Sequence, residues 1–243
     1  MKYELIIGLL IVSVIGGAFA LNAVNNQQAS QATETTTPIT EPTAQTTQEQ
    51  TQASQSTGTE LTQEEINGIL FMREEEKLAR DVYLTFYKMY GLPIFKNIAE
   101  SEQRHMDAVL TLIQKYNLTD PATNEVGVFT NKTLQELYDK LIAEGSKSLV
   151  DAVKVGGLIE EKDIIDINKL INETSNPDII RVYTYLVNGS AHHLLAFSTQ
   201  YEKLTGQPYQ PQLLTPQQYE AVISSVTNGP SNGRGQGQGY GKP

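Results

Sequence analysis

The stretch MREEEKLARDVY, residues 72–83, decides the fold. Residues three and four apart share one face of a helix. Stepping in that way through Ile69, Met72, Glu76, Ala79, Tyr83 and Phe86 gives a face that is apolar except at Glu76. The same spacing turns Glu74 and Glu75 toward the solvated sides. Upstream, Thr62 followed by Glu65 has the form of a capping box, so a helix is expected to start there. Downstream, Gly91 and Pro93 stop it near Tyr90.

Three further long helices follow. One runs from about Pro93 to Tyr116, one from Ser148 to Asn172, and one from Asn176-Pro177 to Leu204. Short helices are expected over Lys132 to Ala143 and from Thr215-Pro216 through Val226, and no stretch alternates as a strand would. The expected fold is all-α, a four-helix bundle with short extra helices. A connection of roughly thirty residues between the second and third long helices allows a crossover of the ferritin type.

Each of these helices carries a polar group on its apolar face. In NIAESEQRHMDAV, residues 97–109, Glu102 and His105 interrupt the stripe of Ile98, Val109 and Leu112. In the third long helix Glu160 lies among Val153, Gly157, Ile164, Ile167 and Ile171. Asp163 is one turn further on, while Glu161 tracks with Lys154 and Asn168 and reads as solvated. In the fourth, His193 shares a face with Leu186, Ser190 and Phe197, and His192 points away. Carboxylates and imidazoles aimed at a core are costly unless they are paired or bound to metal. Di-iron carboxylate bundles take a Glu from each of two helices and Glu-x-x-His from each of the other two. Hard carboxylates with borderline imidazoles suit iron or manganese.

Composition narrows the chemistry. The 243 residues include no Cys and no Trp and carry a net charge of −10. Disulfides, iron–sulfur clusters, thiolate zinc sites and cysteine nucleophiles are thereby excluded. An acidic chain of this kind is not expected to bind nucleic acid.

The ends read differently from the middle. Residues 1–21 hold an apolar run from Leu5 to Leu21, broken only by Ser13 among polar side chains, with a small-x-small site at Ala18-Phe19-Ala20. They read as a signal peptide or an N-terminal membrane anchor. Residues 22–60 are rich in Thr and Gln and read as a disordered stalk. Residues 61–226 form the helical domain, and the Gly-rich residues 227–243 read as a disordered tail. The expected location is extracytoplasmic, secreted or tethered to the cell surface.

MREEEKLARDVY, NIAESEQRH, the Gly156-Gly157 run with Glu160 and Glu161, and the Gly189-Ser190 run with His193 together resemble the ferritin-like superfamily. The resemblance is to its rubrerythrin-like branch, and more closely to an exported ferritin-like family of uncharacterised function. It implies Glu76, Glu102, His105, Glu160 and His193 as metal ligands. One position departs from the di-iron pattern, because Ser190 stands where the Glu of the second Glu-x-x-His would be. Asp163 on the neighbouring helix is the candidate replacement, and the departure leaves a mononuclear site and an asymmetric one both open.

Two functions compete on this reading. One is a non-haem di-iron or Fe/Mn oxidoreductase acting on oxygen, peroxide or Fe(II). With no Cys in the chain, rubrerythrin-type peroxidase turnover would take its electrons from an external donor. Tyr83 is then either a donor to the ligands, a radical sink or a plain core residue. The other is a non-catalytic surface module on the same scaffold. A small homo-oligomer is compatible with either; a closed storage shell suits the long stalk poorly.

Overall fold

Local signals set the helix ends. At Thr62 the hydroxyl accepts from the Glu65 N–H at 3.1 Å, and the Thr62 N–H donates to the Glu65 carboxylate at 2.9 Å. The helix so started ends at Gly91, whose φ of 65° is left-handed and suits a residue without Cβ. The computed structural model describes residues 60–228 and contains, among them, six helices and no strand. These are α1 (Gln63–Tyr90), α2 (Pro93–Lys115), α3 (Lys132–Gly145), α4 (Leu149–Asn172), α5 (Pro177–Thr205) and α6 (Pro216–Thr227). The fold is all-α, and the helix ends differ from the sequence expectation by no more than a residue or two. The expected signal or anchor, most of the stalk and most of the tail lie outside the described residues.

The four long helices run antiparallel to their neighbours. Along α1, Arg73 reaches the Met106 carbonyl and Arg80 reaches Gln103, so α2 descends as α1 rises. Gly68 meets Leu170 while Tyr83 meets Glu160, which sets α4 antiparallel to α1. Lys115 pairs with Asp178 and His105 lies against Gly189, which does the same for α2 and α5. Helices α2 and α4 therefore point the same way, and residues 116–148 must travel the length of the helices to join them. Helix α3 lies in that crossover and packs on α1 and α4.

Polar residues of the deciding stretch hold the crossover down. Arg73 forks onto Asp120 with N···O distances of 2.8–3.2 Å. Glu74 accepts from the Thr130 and Asn131 N–H groups at 2.6 and 3.0 Å. Lys77 donates to the Glu125 and Val128 carbonyls and to Asp81, which in turn accepts from the Gly127 N–H. The expectation that Glu74 is solvated is thus overturned: it is buried, because its carboxylate satisfies backbone donors of a loop that would otherwise be unpaired.

The apolar core is divided. One layer joins Tyr83, Phe86, Phe95 and Phe197, with ring centroids 5.1–6.5 Å apart among the contacting pairs. The other, toward the opposite end, joins Ile69, Met72, Val109, Leu112, Ile167 and Leu186. On every long helix the residues between these layers are the polar ones: Glu76, Glu102 with His105, Glu160 with Asp163, and Ser190 with His193.

Glu161 is likewise buried rather than solvated, a second correction. The segment between α5 and α6 folds back over α4, and Glu161 accepts from the Tyr209 hydroxyl at 2.7 Å and from the N–H groups of Gln212, Leu213 and Leu214. Gly156 and Gly157 make the close packing possible. A Cβ on the first would stand 2.5 Å from the Phe197 ring and one on the second 2.4 Å from the Tyr209 hydroxyl. Glu161→Ala strands three backbone donors and a phenol, and we expect it to lower stability by roughly 3 kcal/mol in urea unfolding. Glu100→Ala, which breaks only the exposed Lys96–Glu100 pair, should stay within about 0.5 kcal/mol.

Candidate metal centre

Four helices deliver the polar layer: α1 supplies Glu76, α2 Glu102 and His105, α4 Glu160 and Asp163, and α5 His193. All six are buried. His105 Nδ1 stands 3.1 Å from Glu76 Oε2 and 2.8 Å from Glu102 Oε2. His193 Nδ1 stands 2.7 Å from Glu102 Oε1 and 3.4 Å from Glu160 Oε2. The result is two groups, Glu76–Glu102–His105 and Glu102–Glu160–His193, each with its donor atoms within 4.8 Å of one another. Glu102 belongs to both and turns one oxygen to each. The two imidazole rings are inclined at 29°, with centroids 5.4 Å apart.

Of these contacts, His105 Nδ1 with Glu76 Oε2 is a hydrogen bond, and the others are not. Glu76 Oε1, both oxygens of Glu102, Glu160 Oε2 and His193 Nδ1 have no hydrogen-bond partner. The 2.7 Å approach of His193 to Glu102 thus lies off the hydrogen-bond direction. Buried acceptors without donors are rare. Lone pairs that converge at such distances without sharing a proton suit a cation between them.

Electrostatics point the same way. Burial drives the Glu76 carboxyl up to about 8, against the opposing pull of His105. Glu160 is raised by burial and by Glu102, and Asp163 well above its ordinary range by burial and by Glu75, Glu76 and Glu160. Glu102 goes the other way, because His193 and His105 together outweigh its burial. Burial works to lower both imidazoles, yet the carboxylates hold His105 up at about 11 and His193 at about 10. Without a metal, the layer keeps its charge down by holding protons.

Asp163 is buried with Oδ2 unpartnered, but it stands outside both three-residue groups. Ser190 is buried and donates to the Leu186 carbonyl of its own helix at 3.3 Å, so its hydroxyl is turned to the backbone. His192 is exposed, as its helical phase requires. Gly189 explains the start of the fourth motif: a Cβ there would meet His105 Nε2 at 2.2 Å. The Tyr185 ring edges against His105 from the same helix, with centroids 5.3 Å apart.

Tyr83 is fully buried and donates to Glu160 Oε1 at 2.5 Å. Burial and Glu160 push its phenol well above the ordinary range, so it remains a neutral donor. The bond leaves Glu160 Oε2 facing His193. Tyr83→Phe is therefore expected to fold normally and to weaken metal binding about 10- to 100-fold, read by competitive chelator titration.

Sequence reasoning missed one element beside the site. Glu75, read as solvated, is buried because Lys162 of α4 donates to it at 2.6 Å and also to Asp166. The i, i+4 spacing of Lys162 and Asp166 was the available signal; nothing in the sequence linked either to Glu75.

The molecule is thus an all-α protein with a buried carboxylate–histidine layer shared by four helices. Residues 65–226 match the family described as "Uncharacterized protein domain (DUF2202)", and the chain belongs to that family. Uncharacterized protein MJ0754 of Methanocaldococcus jannaschii is 53% identical over 168 residues, which cover 69% of this chain and 90% of that protein. The crystal structure of hypothetical protein MJ0754 from Methanococcus jannaschii DSM 2661 is similar at a TM-score of 0.66, covering 68% of this chain and 94% of that one.

Proposed function

We propose that the four long helices are a ferritin-like four-helix bundle of the rubrerythrin-like branch, and that the polar layer holds a dinuclear non-haem iron centre, or an Fe/Mn one. Glu76 and His105 would hold one metal and Glu160 and His193 the other, with Glu102 common to both groups. Asp163 stands by as the carboxylate that replaces the Glu absent at Ser190. The observation that carries this reading is the sharing of Glu102, whose two oxygens face different histidines and have no hydrogen-bond partner.

Charge is compatible with a pair of ions. Glu76, Glu102, Glu160 and Asp163 bring four negative charges when ionised, and two divalent ions balance them with both imidazoles neutral. A single divalent ion is balanced when two of the four carboxyls keep their protons. When bound, such a pair supplies two electrons at once: two Fe(II) become two Fe(III) as dioxygen and two protons become hydrogen peroxide, or as peroxide and two protons become two waters. The protein's part is to exclude bulk water with the two apolar layers and to orient Glu160 through Tyr83. Re-reduction falls to an external donor, since the chain has no Cys.

We place this chemistry outside the cytoplasm, on a secreted or surface-tethered protein, on the strength of residues 1–21. Among the described residues no helix is long and apolar enough to cross a membrane. Ser190 favours a second reading, a surface module with a structural metal. Mixing the anaerobically Fe(II)-loaded protein with oxygenated buffer separates the two. The oxidoreductase reading expects about one dioxygen consumed per two irons, faster than for free Fe(II). Bound iron that raises the Tm but oxidises no faster than free Fe(II) supports the structural reading instead.

A further inference from the structure

The pattern Asn-x-Ser/Thr, the acceptor of N-linked oligosaccharide, occurs four times, at Asn117, Asn131, Asn172 and Asn188. A transferase working on the folded protein has to reach the asparagine amide and the hydroxyl two residues on. The fold withholds one or the other at three of the four. Asn131 caps α3, with its Oδ1 accepting from the Thr133 and Leu134 N–H groups at 2.9 and 3.3 Å. After Asn172, the Thr174 hydroxyl donates to the Glu65 carboxylate and accepts from the Asn176 N–H. Asn188 lies within α5, where residues two apart point about 200° from one another. Its Ser190 is buried and donates to the Leu186 carbonyl.

Asn117 differs on each count. It is exposed, and so is Thr119. Among the described residues neither side chain has a hydrogen-bond partner. The turn that presents them is pinned by its own backbone: Asn117 has a φ of 52°, its N–H donates to the Gln114 carbonyl, and the Leu118 N–H donates to the Ile113 carbonyl. Asparagine is a usual residue at the left-handed end of a helix, which accounts for Asn117 alone. The acceptor pattern accounts for Asn117 and Thr119 together. Leu61 and Leu118 pack on the same apolar layer, so Asn117 lies at the end of the bundle where the chain enters from residues 22–60.

We infer that Asn117 is the N-glycosylation site of this protein. Its Nδ2 attacks the anomeric carbon of an oligosaccharide carried on a lipid phosphate. A C–N bond forms, the sugar–phosphate bond breaks, the amide gives up one proton and the lipid phosphate leaves. The product carries a bulky, hydrated group at the stalk end of the domain. The inference rests on the extracytoplasmic location proposed above, where such a donor is presented.

Peptide mass spectrometry of the full-length protein, recovered from the cells that make it naturally, tests this. Cleavage after Asp120 and Glu125 separates Asn117 from Asn131. A hexose-containing mass on the Asn117 peptide is expected, with Asn131, Asn172 and Asn188 unmodified. Asn117→Gln and Thr119→Ala should each lower the intact mass by the whole glycan, and Thr119→Ser should keep it. Both positions are exposed, and an unchanged far-UV circular dichroism spectrum should show that the fold is kept. Protease added to intact cells separates the two ways of failing. An unmodified Asn117 in protein that the protease reaches, or that is recovered from the medium, overturns the site and leaves the location standing. Protein that only lysis exposes overturns both. A glycan on Asn131, Asn172 or Asn188 overturns the selection by the fold.

Discussion

Glu102→Ala is expected to abolish metal binding at both positions, whereas Glu76→Gln and Glu160→Gln should each weaken mainly one. The asymmetry follows from the geometry: Glu102 is the one side chain common to both groups. Its Oε2 lies 2.8 Å from His105 Nδ1 and its Oε1 2.7 Å from His193 Nδ1. Its loss also removes the carboxylate whose interactions with both imidazoles hold it below its ordinary range. Elemental analysis after anaerobic Fe(II) loading should fall from about two irons per chain to near zero for Glu102→Ala, and to about one for either Gln variant. Far-UV circular dichroism distinguishes loss of the site from loss of the fold. A folded Glu102→Ala protein that keeps two irons would contradict the bridging role.

Lys162→Ala is expected to be strongly destabilising although the residue lies outside the carboxylate–histidine layer. Lys162 is buried between Glu75 and Asp166 and donates to both, and Glu75 Oε2 and Asp166 Oδ1 already lack other partners. Removing one member of a buried ion cluster leaves the others uncompensated and typically costs about 3–5 kcal/mol. For a domain of this size that corresponds to a Tm lower by roughly 10 °C in calorimetry. The pH dependence has a definite sign. Burial raises Glu75 to about 8 even with Lys162 present, so the folded state binds more protons there than the unfolded state does above the ordinary value of 4.5. Stability contributed by this carboxyl therefore falls as pH rises from about 4.5 toward 8. Without the ammonium the carboxyl is pushed higher still, so that fall continues to higher pH, and the deficit of Lys162→Ala should grow as pH rises through about 8. Replacing Glu75, Lys162 and Asp166 together by apolar residues should recover most of the loss. A deficit that shrinks as pH rises would contradict this account.

The four long helices were legible because each carries a face whose period matches the helix, and because Thr62, Gly91, Asn176 and Gly206 mark their ends. The candidate ligands were legible for the same reason, as polar residues interrupting those faces. The readings of Glu74, Glu75 and Glu161 failed because helical phase reports only the face turned to the other long helices. Glu74 is covered by the crossover and Glu161 by the segment before α6, and apart from the Tyr209 hydroxyl their bonds to those coverings come from backbone N–H groups, which leave no trace in residue type. Glu75 was misread for a related reason. Its partner Lys162 is 87 positions away, and neither residue alone departs from what an exposed helix face would carry. The Gly156-Gly157 pair was open to two readings, close approach or a loosened helix. The positions of Phe197 and Tyr209 decide for close approach.

The most direct test of the central claim is anomalous X-ray diffraction at the iron edge from crystals of the protein loaded anaerobically with Fe(II). The account predicts two peaks on either side of Glu102, one within bonding distance of Glu76 and His105 and the other of Glu160 and His193. A single peak, or none in a well-ordered crystal, would contradict it.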